Sequence, residues 1–432
     1  MILCRRIINS LCFSVPVGLY ISVPFCRTKC SFCNFASDVF SKSAYENYVV
    51  RVVEDIANSR QLALELGCLL DHTVDSIYLG GGTPSILDGG QLTRLFAAAR
   101  DHFTIAPDAE ITVECAPGTL TAPLIETLLQ SGVNRVSLGV QSFVNQEAQS
   151  VGRLHNRVIV LEEIQRLRRA GIGNISVDLI AGLPHQTAES WAFSVAETVA
   201  TGVPHASVYM LEVDDDSRLG RELIAGGARY HAHFVPDDDM TADFYEQACE
   251  MLAAGGIEQY EISNFARVGV EGAAPRNNWS RHNLKYWTRQ PYIGFGVDAH
   301  SMLETAMEET GVHHQAVRFA TPDSLDALVN REPHTVTSVS TRAAIEERFF
   351  LGLRLNCGVD LSHFLIRRQA GAGQEFTRAI DCAIEQCVDD GLIERQGTTV
   401  CLTARGRLLS NEVFARFLME ETKVGSGNVN PR

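Results

Sequence analysis

Between residues 19 and 212 a short apolar run rich in β-branched residues repeatedly precedes a longer segment with helical periodicity. The apolar runs are LYISV (19–23), SIYL (76–79), EITVE (110–114), RVSLGV (135–140), ISVDLI (175–180) and ASVYML (206–211), and the helix candidates lie near 42–67, 89–102, 121–131, 157–170 and 187–200. Strands joined by helical crossovers pair in parallel, and six such units are fewer than the eight of a closed barrel. The alternation therefore predicts an α/β fold with an incomplete, open (βα)6 barrel.

The rest of the chain is less regular. Residues 213–340 combine acidic loops with one amphipathic helix, ADFYEQACEMLAAGG, that ends at Gly255, and the segment 305–340 gives little pattern. From about residue 341 helical periodicity returns around a short hairpin, LIERQGTTVCL, which predicts a winged-helix-like domain. A structural cap is favoured over DNA binding there, because the hairpin and helix lack a dense basic face.

These patterns divide the chain into five predicted segments. They are a variable N-terminal segment (1–17), a core barrel (18–215), an α+β extension (216–340), a C-terminal helical, winged-helix-like domain (341–423) and a disordered tail (424–432). The first 17 residues carry two arginines and a weak apolar stretch, like a poor signal peptide. A ragged start outside the domain is the favoured interpretation.

The charge balance limits the classes of partner. The chain has 37 Lys+Arg against 52 Asp+Glu, a net charge of -15, which argues against general binding to nucleic acid or an anionic membrane. No apolar run approaches the ~20 residues that span a bilayer, so we expect at most peripheral membrane contact. The 12 cysteines form one tight cluster plus dispersed singles, which fits a reducing, cytoplasmic location.

The cysteine cluster follows the first predicted strand. Cys26, Cys30 and Cys33 have C-x3-C-x2-C spacing, which lets one short loop wrap three corners of a 4Fe-4S cubane. Such a cluster usually takes four thiolates, and three leave one iron with an open position for a chelating amino acid. The alternatives are a three-cysteine zinc site completed by a distant histidine and three unrelated core thiols. Three cysteines within eight residues after a strand favour the iron–sulfur cluster.

Glycine or polar residues also end the next strands, where ligands of parallel barrels bind. GGGTPS (80–85) follows the second strand, Glu114 ends the third, Gln141 and Ser142 follow the fourth, and Asp178 lies in the fifth. Glycines remove side chains where a backbone approaches a ligand closely. A single polar strand end is usually a helix cap or a solvated residue. Four in succession after a cysteine loop predict one polar wall around a single ligand.

Seven motifs, taken in order, carry a resemblance to a known family. YISVPFCRTKC, IYLGGGTPS, ECAPGT, LGVQSF, DLIAGLPHQT, HNLKYW and IGFGVDAHS resemble the radical S-adenosylmethionine (SAM) superfamily, and more closely its oxygen-independent coproporphyrinogen III oxidase family. The resemblance covers the chain from about residue 18 to the C-terminus. It implies a radical SAM barrel, a 4Fe-4S cluster whose open iron is chelated by SAM, and an electron donor such as a flavodoxin or ferredoxin.

The resemblance also implies roles for individual residues. Cys26, Cys30 and Cys33 bind the cluster. The implied cofactor-binding residues are Tyr20 and Phe32 beside the cluster, Gly81, Gly82 and Thr83 at the methionine end or a second nucleoside, Glu114, Gln141, Arg153 and Asp178 around SAM, and Met210 through its backbone. Two positions depart from the family pattern. Ser22 replaces a histidine, and Asp298 replaces a small residue.

Two motifs separate branches of this family. The oxidases continue their motif as C-x2-C-x-C, whereas this chain has Phe35 at that place. The heme chaperone branch reads C-[DN]-F and carries HN-x2-YW, which here is His282, Asn283, Tyr286 and Trp287. We therefore predict a heme chaperone that binds heme and SAM and delivers heme to a heme-accepting respiratory protein. The alternatives are an oxidase that decarboxylates two propionates of coproporphyrinogen III and a radical enzyme with another substrate.

His282 is the candidate axial ligand of heme. Imidazole is a common ligand of heme iron, and neighbouring Tyr286 and Trp287 offer flat apolar surface. A lone histidine near aromatic residues is more often a packed residue that makes one hydrogen bond, and His300 is a weaker rival as ligand. Two arginines, Arg276 and Arg281, are candidates to receive the heme propionates.

Overall fold

The computed structural model describes residues 15–268, 278–305, 314–362 and 374–418. The chain divides into two compact units, Met1–Ser340 and Thr341–Arg432. Most of the predicted N-terminal segment and all of the predicted tail at 424–432 lie outside the described residues. Among the described residues, no helix combines the length and the apolar composition that crossing a bilayer requires.

The first unit confirms the predicted alternation of strands and helices. Six strands pair in parallel in chain order: β1 (Val17–Val23), β2 (Thr73–Gly81), β3 (Thr104–Cys115), β4 (Arg135–Gln141), β5 (Asn174–Ala181) and β6 (His205–Met210). Between them run α1 (Lys42–Glu65), α2 (Gly89–His102), α3 (Ala122–Gln130), α4 (Asn145–Ser150), α5 (Arg157–Ala170) and α6 (Ala188–Thr201). The carboxyl ends of all six strands therefore lie along one edge of the sheet.

The sheet extends beyond the six predicted strands. The described residues form a twelve-stranded sheet in the order β12-β11-β10-β9-β1-β2-β3-β4-β5-β6-β8-β7. The added strands are β7 (Ile257–Gln259), β8 (Asn264–Arg267), β9 (Tyr292–Gly296), β10 (His300–Glu304), β11 (His314–Ala320) and β12 (Thr335–Ser340). β9 pairs in parallel with β1, whereas the other added pairings are antiparallel. The segment 305–340, which gives little sequence pattern, thus supplies two strands.

The described residues of this unit form four further α-helices: α7 (Arg218–Ala225), α8 (Asp238–Ala254), α9 (Arg281–Trp287) and α10 (Leu325–Val329). α8 is the amphipathic helix predicted to end at Gly255, and Gly255 is its C-cap. Local sequence fixes several helix starts. Asp88 begins α2 with a capping box, in which its side chain accepts from the Gln91 N–H and the Gln91 side chain accepts from the Asp88 N–H.

The two positions that depart from the family pattern lie close to the carboxyl ends of β1 and β9. Asp298 has a φ of 52°, in the left-handed region that glycine, asparagine and aspartate adopt at least cost. Its N–H donates to the Pro322 carbonyl at 2.8 Å. Ser22 is buried, and its carbonyl accepts a hydrogen bond from the Tyr48 hydroxyl at 2.8 Å. The left-handed backbone conformation at residue 298 thus explains why an aspartate is tolerated at this position.

The second unit contains α11 (Thr341–Gly352), β13 (Val359–Asp360), α12 (Gln374–Asp389), β14 (Ile393–Gln396), β15 (Thr399–Leu402), α13 (Ala404–Leu408) and α14 (Ser410–Ala415). The predicted hairpin is confirmed, because β14 pairs antiparallel with β15. β13 pairs with the other side of β15 and completes a three-stranded sheet. Phe349 of α11 stacks on Phe417, with ring centroids 5.1 Å apart, in the core of this unit.

Candidate functional site

Cys26, Cys30 and Cys33 lie in the loop directly after β1. Cys26 and Cys30 are each only 9% exposed, Cys33 is half-buried, and none of the three forms a disulfide. Burial is the main factor that raises the pKa of the Cys26 and Cys33 thiols above its ordinary value. Burial therefore favours the neutral thiols of Cys26 and Cys33, and a bound metal centre is what would hold these two as thiolates.

The three cysteines supply thiol donors from one short loop. Within the described part of the chain, no three histidine, cysteine, aspartate or glutamate side chains are placed to hold one metal ion. A tetrahedral zinc site gathers its thiolates around one ion, whereas each cysteine of a cubane binds a different iron. This donor set is compatible with a 4Fe-4S cluster, and the cluster stays a prediction.

The glycine run after β2 supports the cysteine loop. The Gly82 N–H donates to the Val23 carbonyl and the Thr83 N–H to the Phe25 carbonyl, each at 2.7 Å. A Cβ on Gly82 would lie only 2.7 Å from the Phe25 carbonyl oxygen and 2.8 Å from that of Val23. Thr83 Oγ1 lies 3.8 Å from Cys26 Sγ. Residue 82 must therefore be glycine because the protein's own backbone, at Val23 and Phe25, lies so close to it. Contact of Gly81, Gly82 and Thr83 with a cofactor stays a prediction.

The opposite side of the cysteine loop packs on residues that follow α4 and on residues at the end of β5 and just after it. Phe32, predicted to lie beside the cluster, packs against the buried side chains of Val151, Ile180 and Leu183. The Ser31 N–H donates to the Val151 carbonyl at 3.2 Å. The loop is therefore anchored from both sides, which holds the cysteines over the carboxyl ends of the strands.

Glu114 and Asp178 lie together on the inner side of β3 and β5. The Tyr78 hydroxyl donates to Glu114 Oε1 at 2.7 Å. Burial, opposed by this hydrogen bond and reinforced by the Asp178 charge, raises the pKa of Glu114 to about 7. Asp178 accepts hydrogen bonds from Ser137 at 2.9 and 3.0 Å and from Ser176 at 3.2 Å, and burial raises its pKa. The predicted polar wall therefore contains two coupled carboxylates.

The side chains of Arg153 and Gln141 both lie next to Gly139 of β4. A Cβ on Gly139 would lie 3.0 Å from Arg153 Nη2 and 3.2 Å from Gln141 Nε2. Arg153 Nε is buried and has no hydrogen-bond partner in the structure. Gln141 has a φ of 67°, which costs a non-glycine residue about 1–3 kcal/mol. A buried guanidinium nitrogen without a partner and a strained residue beside it together fit a site for an anionic group.

Tyr20 and Met210 occupy different parts of the sheet. The Tyr20 ring lies 6.2 Å from the rings of both Tyr78 and His282, so Tyr20 belongs to an aromatic layer inside the sheet. Burial, together with the Glu114 charge, raises the pKa of Tyr20 far above its ordinary value. Met210 ends β6 and pairs in register with Ala181 at the end of β5. Met210 is thus at the edge that carries the cysteine loop.

His282 lies near the opposite end of the strands. A Cβ on Gly18, at the start of β1, would be 3.1 Å from His282 Cε1. The ring is 1% exposed, and its Nδ1 and Nε2 are 3.0 Å from Ser76 Oγ and 2.9 Å from the Tyr286 hydroxyl. Burial, with the charge of Lys285, lowers the pKa of His282 to about 3. Both ring nitrogens are therefore engaged, so this geometry disfavours heme ligation and favours the packed role.

The other predicted heme contacts are spread over the unit. The His300 side chain is 70% exposed, and its Nε2 lies 3.7 Å from the carboxylate of Asp298. Arg281 already forms an ion pair with Asp108 at 3.2 Å. Arg276 lies outside the described residues. The structure thus does not gather the predicted heme ligand and propionate partners into one place.

Sequence reasoning missed Tyr78 and Ser137, the two side chains that position Glu114 and Asp178. Both could have been found from the two-residue periodicity of a β-strand, in which alternate side chains point to the same face of the sheet. Tyr78 lies two residues before Gly80, and Ser137 lies four before Gln141. An inward-facing hydroxyl at such positions indicates a partner for a buried carboxylate.

Comparisons with known proteins show which family the chain is similar to. Residues 20–195 match the Radical SAM superfamily, and residues 339–409 match the HemN C-terminal domain. The chain is 31% identical over 407 residues to the heme chaperone HemW of Lactococcus lactis, which covers 94% of this chain and 98% of that protein. It is 32% identical over 408 residues to the heme chaperone HemW of Bacillus subtilis, with 93% and 99% covered.

The fold also has a counterpart among solved structures. The structure of coproporphyrinogen III oxidase (HemN) from Escherichia coli aligns with a TM-score of 0.74 at 22% identity and covers 94% of this chain and 90% of that one. At this identity the similarity concerns the fold alone. The sequence relatives align over nearly their whole length and are therefore more specific evidence for the family. The chain therefore belongs to the radical SAM superfamily and, within it, to the family of the heme chaperone HemW proteins.

Proposed function

We propose that this protein is a heme chaperone, which binds heme and SAM on a 4Fe-4S scaffold and passes heme to a heme-accepting respiratory protein. The observation that carries the proposal is the alignment, over 98–99% of their length, with relatives named for that function. Phe35 supports it, because this residue stands two positions after Cys33 and is 62% exposed. An exposed phenylalanine supplies no further thiol beside the cluster.

The radical SAM family implies a 4Fe-4S cluster and SAM. When bound, the cluster supplies single electrons, for which a flavodoxin or ferredoxin is the class of donor. Cys26, Cys30 and Cys33 would hold it. The Arg153 guanidinium, with a buried nitrogen that lacks a partner, would bind the SAM carboxylate. The other residues that would surround SAM are Tyr20, Phe32, Gly81, Gly82, Thr83, Glu114, Gln141, Asp178 and Met210.

We expect Arg153→Gln to weaken SAM binding by about tenfold or more, because a hydrogen bond to a charged group contributes about 1.5–3 kcal/mol. The measurement is calorimetry with SAM on protein of verified iron content. Arg157→Gln is the matched control, since the Arg157 side chain pairs with Glu197 at 2.8 Å. Equal SAM affinity in the wild type and the Arg153 variant would remove Arg153 from the site.

The finer architecture is part of the same proposal. The six parallel strands would curve into the incomplete barrel of radical SAM proteins (residues 18–215), followed by a family-specific extension (216–340). The sheet β13-β15-β14 with α12 would form a winged-helix-like cap within 341–423. We propose that the protein works in the cytoplasm with at most peripheral membrane contact.

The experiment that tests the function compares two activities in one preparation. Anaerobically reconstituted protein is given hemin in one assay and coproporphyrinogen III with SAM and a reductant in the other. We expect a Soret band from stoichiometric heme and no decarboxylated product. Turnover of coproporphyrinogen III to protoporphyrinogen IX would establish the oxidase alternative, which currently has the similarity of fold as its structural support.

A further inference from the structure

A series of buried hydrogen bonds leads from the start of α9 to Asp178, and we call it the Asp178 path. The Ser280 N–H donates to the Tyr260 hydroxyl at 3.1 Å, and this hydroxyl lies 3.0 Å from His205 Nε2. His205 Nδ1 lies 2.8 Å from Ser176 Oγ, which donates to Asp178 Oδ1 at 3.2 Å. The first four residues are each at most 2% exposed, whereas Asp178 is only half-buried. The path therefore ends at a carboxylate that retains some exposure.

Strand pairing brings the members of the Asp178 path together. Ser176 and Asp178 are alternate residues of β5, so their side chains point to the same face of the sheet. His205 of β6 pairs in register with Ser176. Tyr260 directly follows β7, and Ser280 is the N-cap of α9. The path thus joins β5 to the helix that carries the HNLKYW motif.

The start of α9 is itself fixed by polar contacts. The Ser280 side chain accepts a hydrogen bond from the Asn283 N–H at 3.4 Å. The Glu110 carboxylate accepts one from the Arg281 N–H at 2.9 Å. The Tyr260 ring stacks on Trp279, with centroids 4.7 Å apart. The first donor of the Asp178 path therefore has a defined position.

The contacts determine where the protons of the Asp178 path lie. Burial is the main factor that lowers the pKa of His205 well below its ordinary value, so the ring is neutral and has one donor and one acceptor nitrogen. An ionised Asp178 only accepts, so Ser176 gives it its single proton and accepts from His205 Nδ1–H. His205 Nε2 then accepts from the Tyr260 hydroxyl. Every donor of the path therefore points toward Asp178.

We propose that His205 is a positioning residue of the SAM site, which orients the Ser176 hydroxyl and, through it, the Asp178 carboxylate. This inference rests on the proposed function, in which Asp178 lies beside SAM. The Ser137 hydroxyl also donates to Asp178, at 2.9 and 3.0 Å. Two directed hydroxyls hold the carboxylate in one orientation. Its remaining lone pairs then face the amino or hydroxyl groups of SAM, which are donors.

The test is calorimetry with SAM on anaerobically reconstituted full-length protein carrying His205→Leu or His205→Asn. The amide nitrogen of asparagine occupies the place of imidazole Nδ1 and still donates, whereas leucine donates nothing. We expect His205→Leu to weaken SAM binding about fivefold or more and His205→Asn to stay within about twofold of the wild type. Thermal melts should show a loss of stability in both variants, because both remove the acceptor of the Tyr260 hydroxyl. Equal weakening in the two variants would show a merely structural role and overturn the inference.

Ser176→Ala tests the next member of the Asp178 path and decides if His205→Leu unfolds. We expect the same loss of SAM affinity, about fivefold or more, because the hydroxyl that His205 orients is gone. Ser59→Ala is the matched control, since Ser59 is a buried serine of α1 whose hydroxyl donates to the Ile56 carbonyl at 2.7 Å. It should keep the wild-type affinity. Wild-type affinity in a folded Ser176→Ala variant overturns the inference.

Asp178→Ala separates the inference from the proposed function. If this variant loses SAM binding while His205→Leu keeps it, the role of His205 is overturned and Asp178 stays in the site. If Asp178→Ala binds SAM like the wild type, Asp178 leaves the site and the inference falls, while the heme chaperone function stands on its hemin assay. A wild type that binds no SAM contradicts the proposed function itself.

Discussion

Replacing Cys26, Cys30 and Cys33 together by alanine is expected to remove all cluster iron. The wild type reconstituted under anaerobic conditions should contain about four irons per chain, and the triple variant about none. The physical reason is that these three thiolates would be the whole protein ligand set of the proposed cluster, so nothing would remain to hold three of the four irons. Iron analysis and the visible absorption of the cluster are the measurements.

The matched control for this result is Cys382→Ala, at an exposed cysteine of the second unit. It should retain the full iron content. Tightly bound zinc in place of iron in the wild type would contradict the cluster, and so would a triple variant that still reconstitutes about four irons.

Gly82→Ala is expected to reduce the amount of stably bound cluster by more than half, although the substitution changes no predicted cluster ligand. Its Cβ would collide with the carbonyl oxygens of Phe25 and Val23, which cannot move without shifting the start of the cysteine loop. Overpacking of this kind costs about 1–3 kcal/mol, and here the strain is released by displacing Cys26. We expect reconstituted iron to fall below half of the wild-type content and the melting temperature to drop. Iron analysis and thermal unfolding measure the two effects.

Gly173→Ala is the control for the added methyl group. Gly173 precedes β5, and a Cβ there would meet no atom within 4 Å. This variant should keep both the iron content and the melting temperature of the wild type. Wild-type iron in Gly82→Ala would show that the turn after β2 does not support the cysteine loop.

The sequence alone determined the parallel core and the cluster motif. Strands β1–β6 could be predicted from the sequence because each is buried against neighbouring strands and helices. Each therefore carries a run of apolar residues next to helical segments. The motif of Cys26, Cys30 and Cys33 could be recognised in the sequence because all three cysteines belong to one short loop. Their proximity therefore follows from chain connectivity. The family followed from motifs of the same local kind. None of these features depends on residues that are distant in sequence.

The tertiary structure alone decided how the sheet continues. β9 pairs with β1 although more than 250 residues separate them in the chain, and no local pattern specifies such a partner. The edge strand β12 exposes five of its six residues, so it lacks the alternation by which half-buried strands are recognised. Edge strands and long-range pairings are therefore the parts of the fold that sequence patterns leave open.

The tertiary structure also decided what individual histidines can do. In the sequence His282 is the candidate ligand because it belongs to the motif HNLKYW, whereas His185, in the motif DLIAGLPHQT, and His231 lie 46 positions apart. In the fold His282 is enclosed with both nitrogens hydrogen-bonded, and His185 and His231 meet at a cavity beside the cysteine loop. Residue type and motif are local properties, but the availability of a ring nitrogen depends on neighbours that only folding brings together.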